Sequence, residues 1–483
     1  LFGTNATVGA TTVITGSAAV TTTARCFYVV VDIGAGAADA QTLEASIASI
    51  ANVTVGTDTI SGTPSIAGTT TLSAPSVIIS GTIYANETPT AYNCSTGNVT
   101  VRVAKNGTLS QSVLCTAAGG TYTLPGVTGA VAGDVFTVFI DDATASKQAS
   151  LVTKVNDGTT DLTLNLYQQR VIVRNENGVA TTNTNMGAYD SANNANIKFT
   201  ESAGALTIAA ANKLIVWTGD TFTPGGTVST TASGTAGNPD GDLTIQTGAT
   251  LDMGTNALAI GGDFLNSGTF TYGSGQTTTF TATATGHTIE DGTNNFHHLV
   301  LNGVNGGWTT QSDITTAGDT TITAGTLTNG AFTFTSPNIA VAGGLTNNGT
   351  VTVSTSLSGA GTFTNGTTGT LNIGFATAPT ITTLTATASG NTVNYTALGF
   401  NCKVTSYHHL ILSGGSSPTC SVTSVAGDLT VNGTGLLTTT SSITVGGTTT
   451  VGNGRTLSNG SAFTFISPTI TAIGTGQFTN SGI

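Results

Sequence analysis

Short stretches that alternate apolar and polar residues run along the chain, and two of them occur twice. The segment FHHLVLNG at 296–303 returns as YHHLILSG at 407–414, and FTFTSP at 332–337 returns as FTFISP at 463–468. The interval between the copies is longer for the second pair, by about 20 residues, which is close to the length of one solenoid coil. A stack of β-strand coils accepts one more coil of this length, whereas a closed globular domain is disturbed by it. The repeats therefore predict a parallel β-solenoid, which we place at residues 201–483.

Strand-like stretches follow one another more closely between residues 77 and 176. They cover 77–84, 99–103, 120–124, 134–140, 162–166 and 170–174. Short strands separated by Gly and Asn turns are typical of an antiparallel Ig-like β-sandwich.

The rest of the chain completes an all-β fold class. We predict a β-rich N-terminal segment at residues 1–76, with one possible helix at 41–51 and a possible role in assembly. Residues 177–200 are rich in Asn, Thr and Ala, and we predict a connector there, or alternatively the first irregular coil of the solenoid.

Two parts of the sequence resemble known families. The order SGTIY, VTVRVAKNG, GTYTLPGV and GDVFTVFID in residues 77–176 resembles the Ig-like, carboxypeptidase-regulatory-like modules of large bacterial surface proteins. The stretches GDLTIQTGATLDMGTNALAIGGDFLNSGTFTYG and LTNNGTVTV resemble the strand repeats of bacterial β-helix adhesins and other cell-surface proteins. This resemblance implies an extracellular location at the cell surface and a repeat architecture, but it carries no active site.

Charge and hydropathy limit the possible partners. Charged residues make up 7% of the 483 residues, and the net charge is −12. Nucleic-acid binding requires clustered Lys and Arg, yet residues 214–483 contain only Lys403 and Arg455. We therefore expect no nucleic-acid partner. No run of 18 apolar residues occurs, so no transmembrane segment is predicted.

The two ends of the chain suggest further expectations. The sequence starts at Leu1 without a Met, as expected for a processed product or a fragment, and it stops within a repeat. We expect the last coil to be covered by more polypeptide or by another subunit.

Five cysteines predict two disulfide bonds. Cys402 and Cys420 are 18 residues apart, close to one coil, and equivalent positions of stacked coils lie within reach of a disulfide. Cys94 and Cys115 flank a predicted strand and can join neighbouring strands. Two disulfides favour an oxidising compartment; buried free thiols are the alternative. Cys26 is expected to be free or intermolecular.

The acids of the predicted solenoid do not suggest catalysis. A polysaccharide lyase or glycosidase needs paired carboxylates or an acid with a base, but Asp428 is the only acid after Thr320. Gly-Asp pairs recur at predicted coil starts, where a corner turn is the simpler interpretation. We therefore expect no enzyme and no catalytic residue.

The paired histidines, 297–298 and 408–409, invite a metal hypothesis because His is a common ligand. Neighbouring residues on a strand point to opposite faces, so the members of a pair are expected not to chelate one ion. We interpret these histidines as structural.

Calcium and glycans are the remaining candidate ligands. Asn238, Asp240 and Asp242 place oxygen side chains at alternate positions, as calcium loops do, although a plain turn is the simpler alternative and no other cofactor is expected. The Asn-X-Ser/Thr sites are Asn5, Asn52, Asn86, Asn93, Asn98, Asn106, Asn348, Asn365, Asn394, Asn432 and Asn459. They permit glycosylation, while Asn-Gly-Thr is also a good turn sequence.

Threonine rows such as 277–285 resemble ice-binding solenoids, but irregular coil lengths argue against a flat lattice. The sequence predicts instead a secreted structural protein of a surface layer, sheath or filament, which associates with copies of itself. An adhesin stalk or glycan-binding surface protein is the alternative, followed by a carbohydrate-active β-helix enzyme.

Overall fold

The computed structural model describes residues 42–44, 69–71, 76–88, 90–234, 237, 239–292, 295–415, 419–432 and 435–482. Contacts divide the chain into two units, Leu1–Pro75 and Ser76–Ile483. In the first unit, β1 (Thr42–Glu44) pairs antiparallel with β2 (Thr69–Thr71). The helix predicted at 41–51 is therefore wrong over the stretch that forms β1. Its other positions lie outside the described residues.

The second unit begins with two sheets that enclose one apolar core. Their strands are β3 (Ser76–Tyr84), β4 (Val99–Lys105), β5 (Thr108–Cys115), β6 (Thr121–Thr128), β7 (Val135–Asp141), β8 (Ser150–Lys154), β9 (Leu162–Thr163) and β10 (Leu166–Tyr167). In one sheet β3 pairs antiparallel with β6 and parallel with β9 and β10. In the other, β5, β4, β7 and β8 pair antiparallel in that order. Alternating side chains such as Val101, Val103, Phe136 and Val138 are buried between the sheets.

A parallel β-solenoid of about 15 turns occupies residues 150–480. It starts at β8, which pairs parallel with β11, so it begins well before the predicted residue 201 and includes the predicted connector. Its strands up to residue 290 are β11 (Arg170–Val173), β12 (Phe199–Ser202), β13 (Ala205–Ile208), β14 (Lys213–Val216), β15 (Thr221–Phe222), β16 (Val228–Thr230), β17 (Leu243–Ile245), β18 (Thr250–Asp252), β19 (Leu258–Ile260), β20 (Phe264–Asn266), β21 (Thr269–Thr271), β22 (Thr277–Phe280) and β23 (His287–Glu290). A 3-10 helix (Ala145–Lys147) precedes β8, and α1 (Asn183–Met186) lies between β11 and β12.

The strands from residue 298 onward continue the same stack. They are β24 (His298–Thr310), β25 (Ile314–Thr315), β26 (Thr320–Asn329), β27 (Thr333–Val341), β28 (Gly344–Asn347), β29 (Thr350–Ser358), β30 (Thr362–Asn365), β31 (Thr370–Ile373), β32 (Thr383–Thr385), β33 (Thr392–Tyr395), β34 (Ser406–Tyr407), β35 (His409–Leu412), β36 (Thr419–Cys420), β37 (Ser424–Val425), β38 (Leu429–Val431), β39 (Gly435–Thr439), β40 (Ile443–Val445), β41 (Thr448–Val451), β42 (Arg455–Asn459), β43 (Phe465–Ile466), β44 (Thr469–Ala472) and β45 (Gln477–Asn480).

In the central part of the solenoid each coil visits three faces in turn. The inward residues of the first face are Leu299, Thr320, Ile339 and Leu357. Those of the second face are Trp308, Leu327, Leu345, Phe363 and Leu384. Those of the third face are Ile314, Phe334, Val351, Leu371, Val393, Leu410 and Leu429. Because each strand alternates inward apolar and outward polar residues, the three faces enclose one continuous core.

The two copies of each sequence repeat lie on different faces. The first HHL segment enters the first face at Leu299, whereas the second enters the third face at Leu410. FTFTSP lies on the third face. FTFISP lies on the second, because Phe465 belongs to the sheet of β34, β37, β40 and β43, in which Tyr407 of β34 pairs with Ala386, just after β32 of the second face. In both pairs, the interval between the copies is a whole number of coils plus two-thirds of a coil. The additional length of the second interval therefore corresponds to one complete coil. The predicted insertion of one coil is confirmed.

Candidate functional site

Both predicted disulfides are present. The Cα atoms of Cys402 and Cys420 are 4.8 Å apart, the distance between adjacent coils. Cys94 and Cys115 join β5 to the segment before β4, with a Cα separation of 5.6 Å. The two bonds fit an oxidising, extracellular environment. Cys26 lies outside the described residues.

The paired histidines form two matching corners. The ring centroids of His297 and His298 are 4.4 Å apart, and those of His408 and His409 are 4.2 Å apart. The expectation that the members of a pair point to opposite faces is wrong. The first histidine of each pair lies in the bend before the strand, where the alternation of strand side chains does not apply.

Hydrogen bonds show which ring nitrogen each histidine uses. Nδ1 of His298 accepts the backbone N–H of Asp319 at 3.0 Å, and Nδ1 of His409 accepts that of Asp428 at 3.0 Å. In a neutral imidazole, an accepting Nδ1 places the proton on Nε2. Such a ring has no free lone pair for a metal ion, so these two histidines join one coil to the next.

Aspartates at the corners also join one coil to the next. Their carboxylates accept hydrogen bonds from groups one coil further on: Asp242 from the N–H of Asp263, Asp263 from Thr288, Asp313 from Thr333 and Asp428 from Thr448, at 2.8–2.9 Å. Three of the four belong to Gly-Asp pairs. The interpretation of these pairs as corner turns is confirmed, and one oxygen of each of these carboxylates accepts a backbone N–H of the next coil.

At one corner of the solenoid, Asp240, Asp242 and Asp263 lie near His287, and all but Asp263 are buried. Burial raises the pKa of Asp242 to about 6, and one carboxylate oxygen each of Asp240 and Asp242 is buried without a hydrogen-bond partner. His287 Nδ1 lies 3.2 Å from Asp263 Oδ1, and this contact raises the pKa of His287.

This corner includes two of the predicted calcium ligands. Within the described parts of the chain, no three or more His, Cys, Asp or Glu side chains are placed to hold a metal ion. Asn238 lies outside the described residues, so the calcium site stays a prediction.

Asp291 is the most strongly perturbed acid in this region. Its side chain is fully buried and both carboxylate oxygens lack a hydrogen-bond partner. Burial raises its pKa to about 8 from the ordinary 3.8, while the nearby amide of Asn266 acts in the opposite direction. Asp291 is therefore protonated at neutral pH.

This protonation makes stability depend on pH. The unfolded chain releases the Asp291 proton near pH 4 and the folded chain only near pH 8. The stabilisation that comes from the raised pKa of Asp291 is complete below about pH 4. It is lost as the pH rises through 8, by at most about 1.4 kcal/mol per pH unit. We expect Asp291→Asn to reduce the fall of the unfolding temperature between pH 6.5 and 8.5. Glu290→Gln, a change at the exposed neighbour, serves as the control. An unchanged slope in Asp291→Asn would contradict this assignment.

Buried asparagines form a ladder that sequence reasoning missed. Thr310 donates to Asn329 Oδ1 at 3.1 Å, and Asn329 and Asn347 each donate to the next asparagine, ending at Asn365, at 2.9 Å. A second ladder runs from Thr439 through Asn459 to Asn480, at 2.9 and 2.8 Å. The detectable signal was an apolar residue, Thr or Ser, Asn and a nearby Gly, as in LTNNG at 345–349 and LSNG at 457–460.

Burial decides which glycosylation sites are accessible. Asn365 and Asn459 are fully buried, so a glycan at either is incompatible with the folded solenoid. The exposed candidates are Asn86, Asn93, Asn98, Asn106, Asn348 and Asn432, and Asn394 is half-buried. Asn5 and Asn52 lie outside the described residues.

A charge cluster of buried Arg170 and Lys213 with the partly exposed Glu87 fixes the start of the solenoid to the preceding sheets. The Glu87 carboxylate accepts from Arg170 Nε at 2.9 Å and from Lys213 Nζ at 3.1 Å. Burial opposes ionisation of Glu87, but Lys213 and Arg170 outweigh it and lower its pKa. These three residues are therefore structural, and both cations are compensated.

No family profile, curated protein or solved structure matches the chain significantly. Among the described residues, no helix is long and apolar enough to cross a membrane.

Proposed function

We propose that the chain is a secreted structural protein of a cell-surface assembly, such as a surface layer, sheath or filament. One observation carries this proposal. Side chains that an enzyme would use, including His298, His409 and Asp428, accept hydrogen bonds from the backbone of the next coil. These side chains therefore stabilise the stack of coils.

Two further features support a role outside the cell and among copies of the same protein. The disulfides suit an oxidising compartment. Charged residues are scarce, so repulsion between copies is weak. In this proposal, strands β3 to β10 act as an Ig-like module that presents the solenoid, and the partners are copies of the chain.

One surface feature favours the alternative of a glycan-binding adhesin. Tyr84, Tyr167 and Trp217 form a partly exposed aromatic row, with centroid distances of 5.1 and 5.6 Å. The Arg174 guanidinium lies 6.0 Å from the Trp217 ring. Aromatic rings beside charged groups are suitable contacts for sugars.

Sedimentation velocity and negative-stain microscopy of the oxidised, full-length chain test the proposal. We expect particles with a regular repeat whose amount rises with protein concentration. A monomer at all concentrations that binds glycans, with binding lost in Trp217→Ala, would replace the proposal with the adhesin alternative. Turnover of a polysaccharide would replace it with an enzyme.

A further inference from the structure

The second face of the solenoid carries an unbroken outward column of threonines in six consecutive coils. These are Thr288, Thr309, Thr328, Thr346, Thr364 and Thr385, each paired in register with the next. A second column, two residues earlier on each strand, runs in the order Gly307, Thr326, Gly344, Thr362 and Thr383. We call these nine threonines the threonine face.

The coil lengths do not disturb this array. The sequence distance between successive threonines of the long column varies slightly from coil to coil. The strands β26, β28, β30 and β32 nevertheless pair without a register shift across the face. Since backbone hydrogen bonds fix the strands, the corners absorb the differences in length. The sequence-based objection to a flat lattice therefore does not hold for this face.

The hydroxyl groups of the threonine face are open to solvent. All nine side chains are exposed or half-buried, and their hydroxyls make no hydrogen bond to any described residue. The outward residues of the third face behave differently. There Asn372 donates to Thr352, and Asn394 donates to Asn372, both at 3.3 Å. The hydroxyl groups of the threonine face can therefore form hydrogen bonds with a partner outside the protein.

The spacing of the array indicates what that partner is. Neighbouring strands lie about 4.8 Å apart, and outward residues on one strand about 6.7 Å apart. Tetrahedral water with oxygen contacts of about 2.75 Å repeats at about 4.5 Å and, perpendicular to this, at about 7.3 Å. The mismatch of about 0.3 Å per strand accumulates to about 1.5 Å over six coils, a third of one lattice step.

We propose that the threonine face binds the surface of crystalline ice. Each hydroxyl replaces a water oxygen at the crystal surface, and each methyl group fills the space between oxygen positions. None of the nine threonine side chains is charged, and Glu290, two residues after Thr288 on β23, lies at the edge of the array. This proposal goes beyond the structural role and stands independently of it.

A second copy of the chain fits this face less well. The array measures about 24 Å by about 10 Å, which gives a few hundred Å² against the roughly 800 Å² per partner of a stable interface. Two such faces also offer no charge complementarity. A crystalline polysaccharide is the remaining periodic partner, and the experiment distinguishes it.

Thermal hysteresis and inhibition of ice recrystallisation test the proposal with the full-length chain. We expect activity in the wild type and a loss of about tenfold or more in Thr346→Tyr/Thr364→Tyr, because bulky rings lift the surface from the ice. The matched control is Thr352→Tyr/Asn372→Tyr on the third face, which should keep wild-type activity. Cooperative thermal unfolding establishes that both double variants are folded.

Three results would overturn the proposal. The first is a wild-type chain without thermal hysteresis or inhibition of recrystallisation. The second is equal activity in the two double variants. The third is binding of the wild type to crystalline chitin or cellulose, lost in Thr346→Tyr/Thr364→Tyr, without any effect on ice. That result would assign the face to a polysaccharide.

Discussion

Replacing Asn347 by Ala should lower the free energy of unfolding by about 2–4 kcal/mol, because it breaks the ladder at its centre. Asn347 accepts from Asn329 and donates to Asn365 Oδ1 and to the carbonyl of Thr370, each at 2.9 Å. The change removes these bonds from Asn365 Oδ1 and the Thr370 carbonyl, and it removes the acceptor of the Gly349 N–H. Asn329 keeps its bonds to the carbonyls of Phe332 and Thr350. Chemical denaturation monitored by circular dichroism measures the loss.

The neighbouring residue provides the control. Asn348 is the same residue type on the same strand end, but its side chain is exposed. We expect Asn348→Ala to change stability by less than about 0.5 kcal/mol. Equal losses in the two variants, measured in material without glycans, would show that the ladder does not stabilise the stack.

Replacing Gly414 by Ala should destabilise the solenoid by about 3 kcal/mol or prevent correct folding. An added Cβ would overlap the backbone carbonyl of Ala397 in the preceding coil and lie 3.0 Å from the Phe400 ring. Gly303, the equivalent residue of the first repeat, meets the Ala282 carbonyl and the Trp308 ring in the same way. The overlaps with the Ala397 and Ala282 carbonyls involve backbone atoms, so moving a side chain does not relieve them.

Gly119→Ala is the matched control, since a Cβ at Gly119 would meet nothing within 4 Å. We expect it to stay within about 0.5 kcal/mol of the wild type. The unfolding midpoints of both variants decide the question. A Gly414→Ala protein as stable as Gly119→Ala would contradict the close approach of the coils.

The solenoid was predictable from the sequence because its rules are local. Inward apolar and outward polar residues alternate on each strand, and the unequal intervals between the two repeated segments reveal the coil length. The bond between Cys402 and Cys420 followed from the same spacing. The start of the solenoid was not predictable, since residues 150–154 fall within the range assigned to the sandwich and only the parallel pairing of β8 with β11 shows that they begin the stack.

The functions of the polar residues were harder to predict because they depend on the neighbouring coil. The sequence places His297 and His298 side by side, but it does not show the bend that brings their rings together. Asn365 reads equally well as a glycosylation site and as a ladder residue, and only burial distinguishes the two. The threonine face was hidden because coil lengths vary while the register between strands does not.

The polar side chains of the solenoid join its coils, and the histidines make this measurable. Long-range nitrogen–proton correlation spectra of histidine-labelled protein at pH 7.5 distinguish the two ring nitrogens. Replacing one histidine at a time assigns the signals. For His298 and His409 we expect an unprotonated, hydrogen-bonded Nδ1 and a protonated Nε2, as required by the N–H groups of Asp319 and Asp428. Protonated Nδ1 atoms with free Nε2 lone pairs at both positions would contradict it.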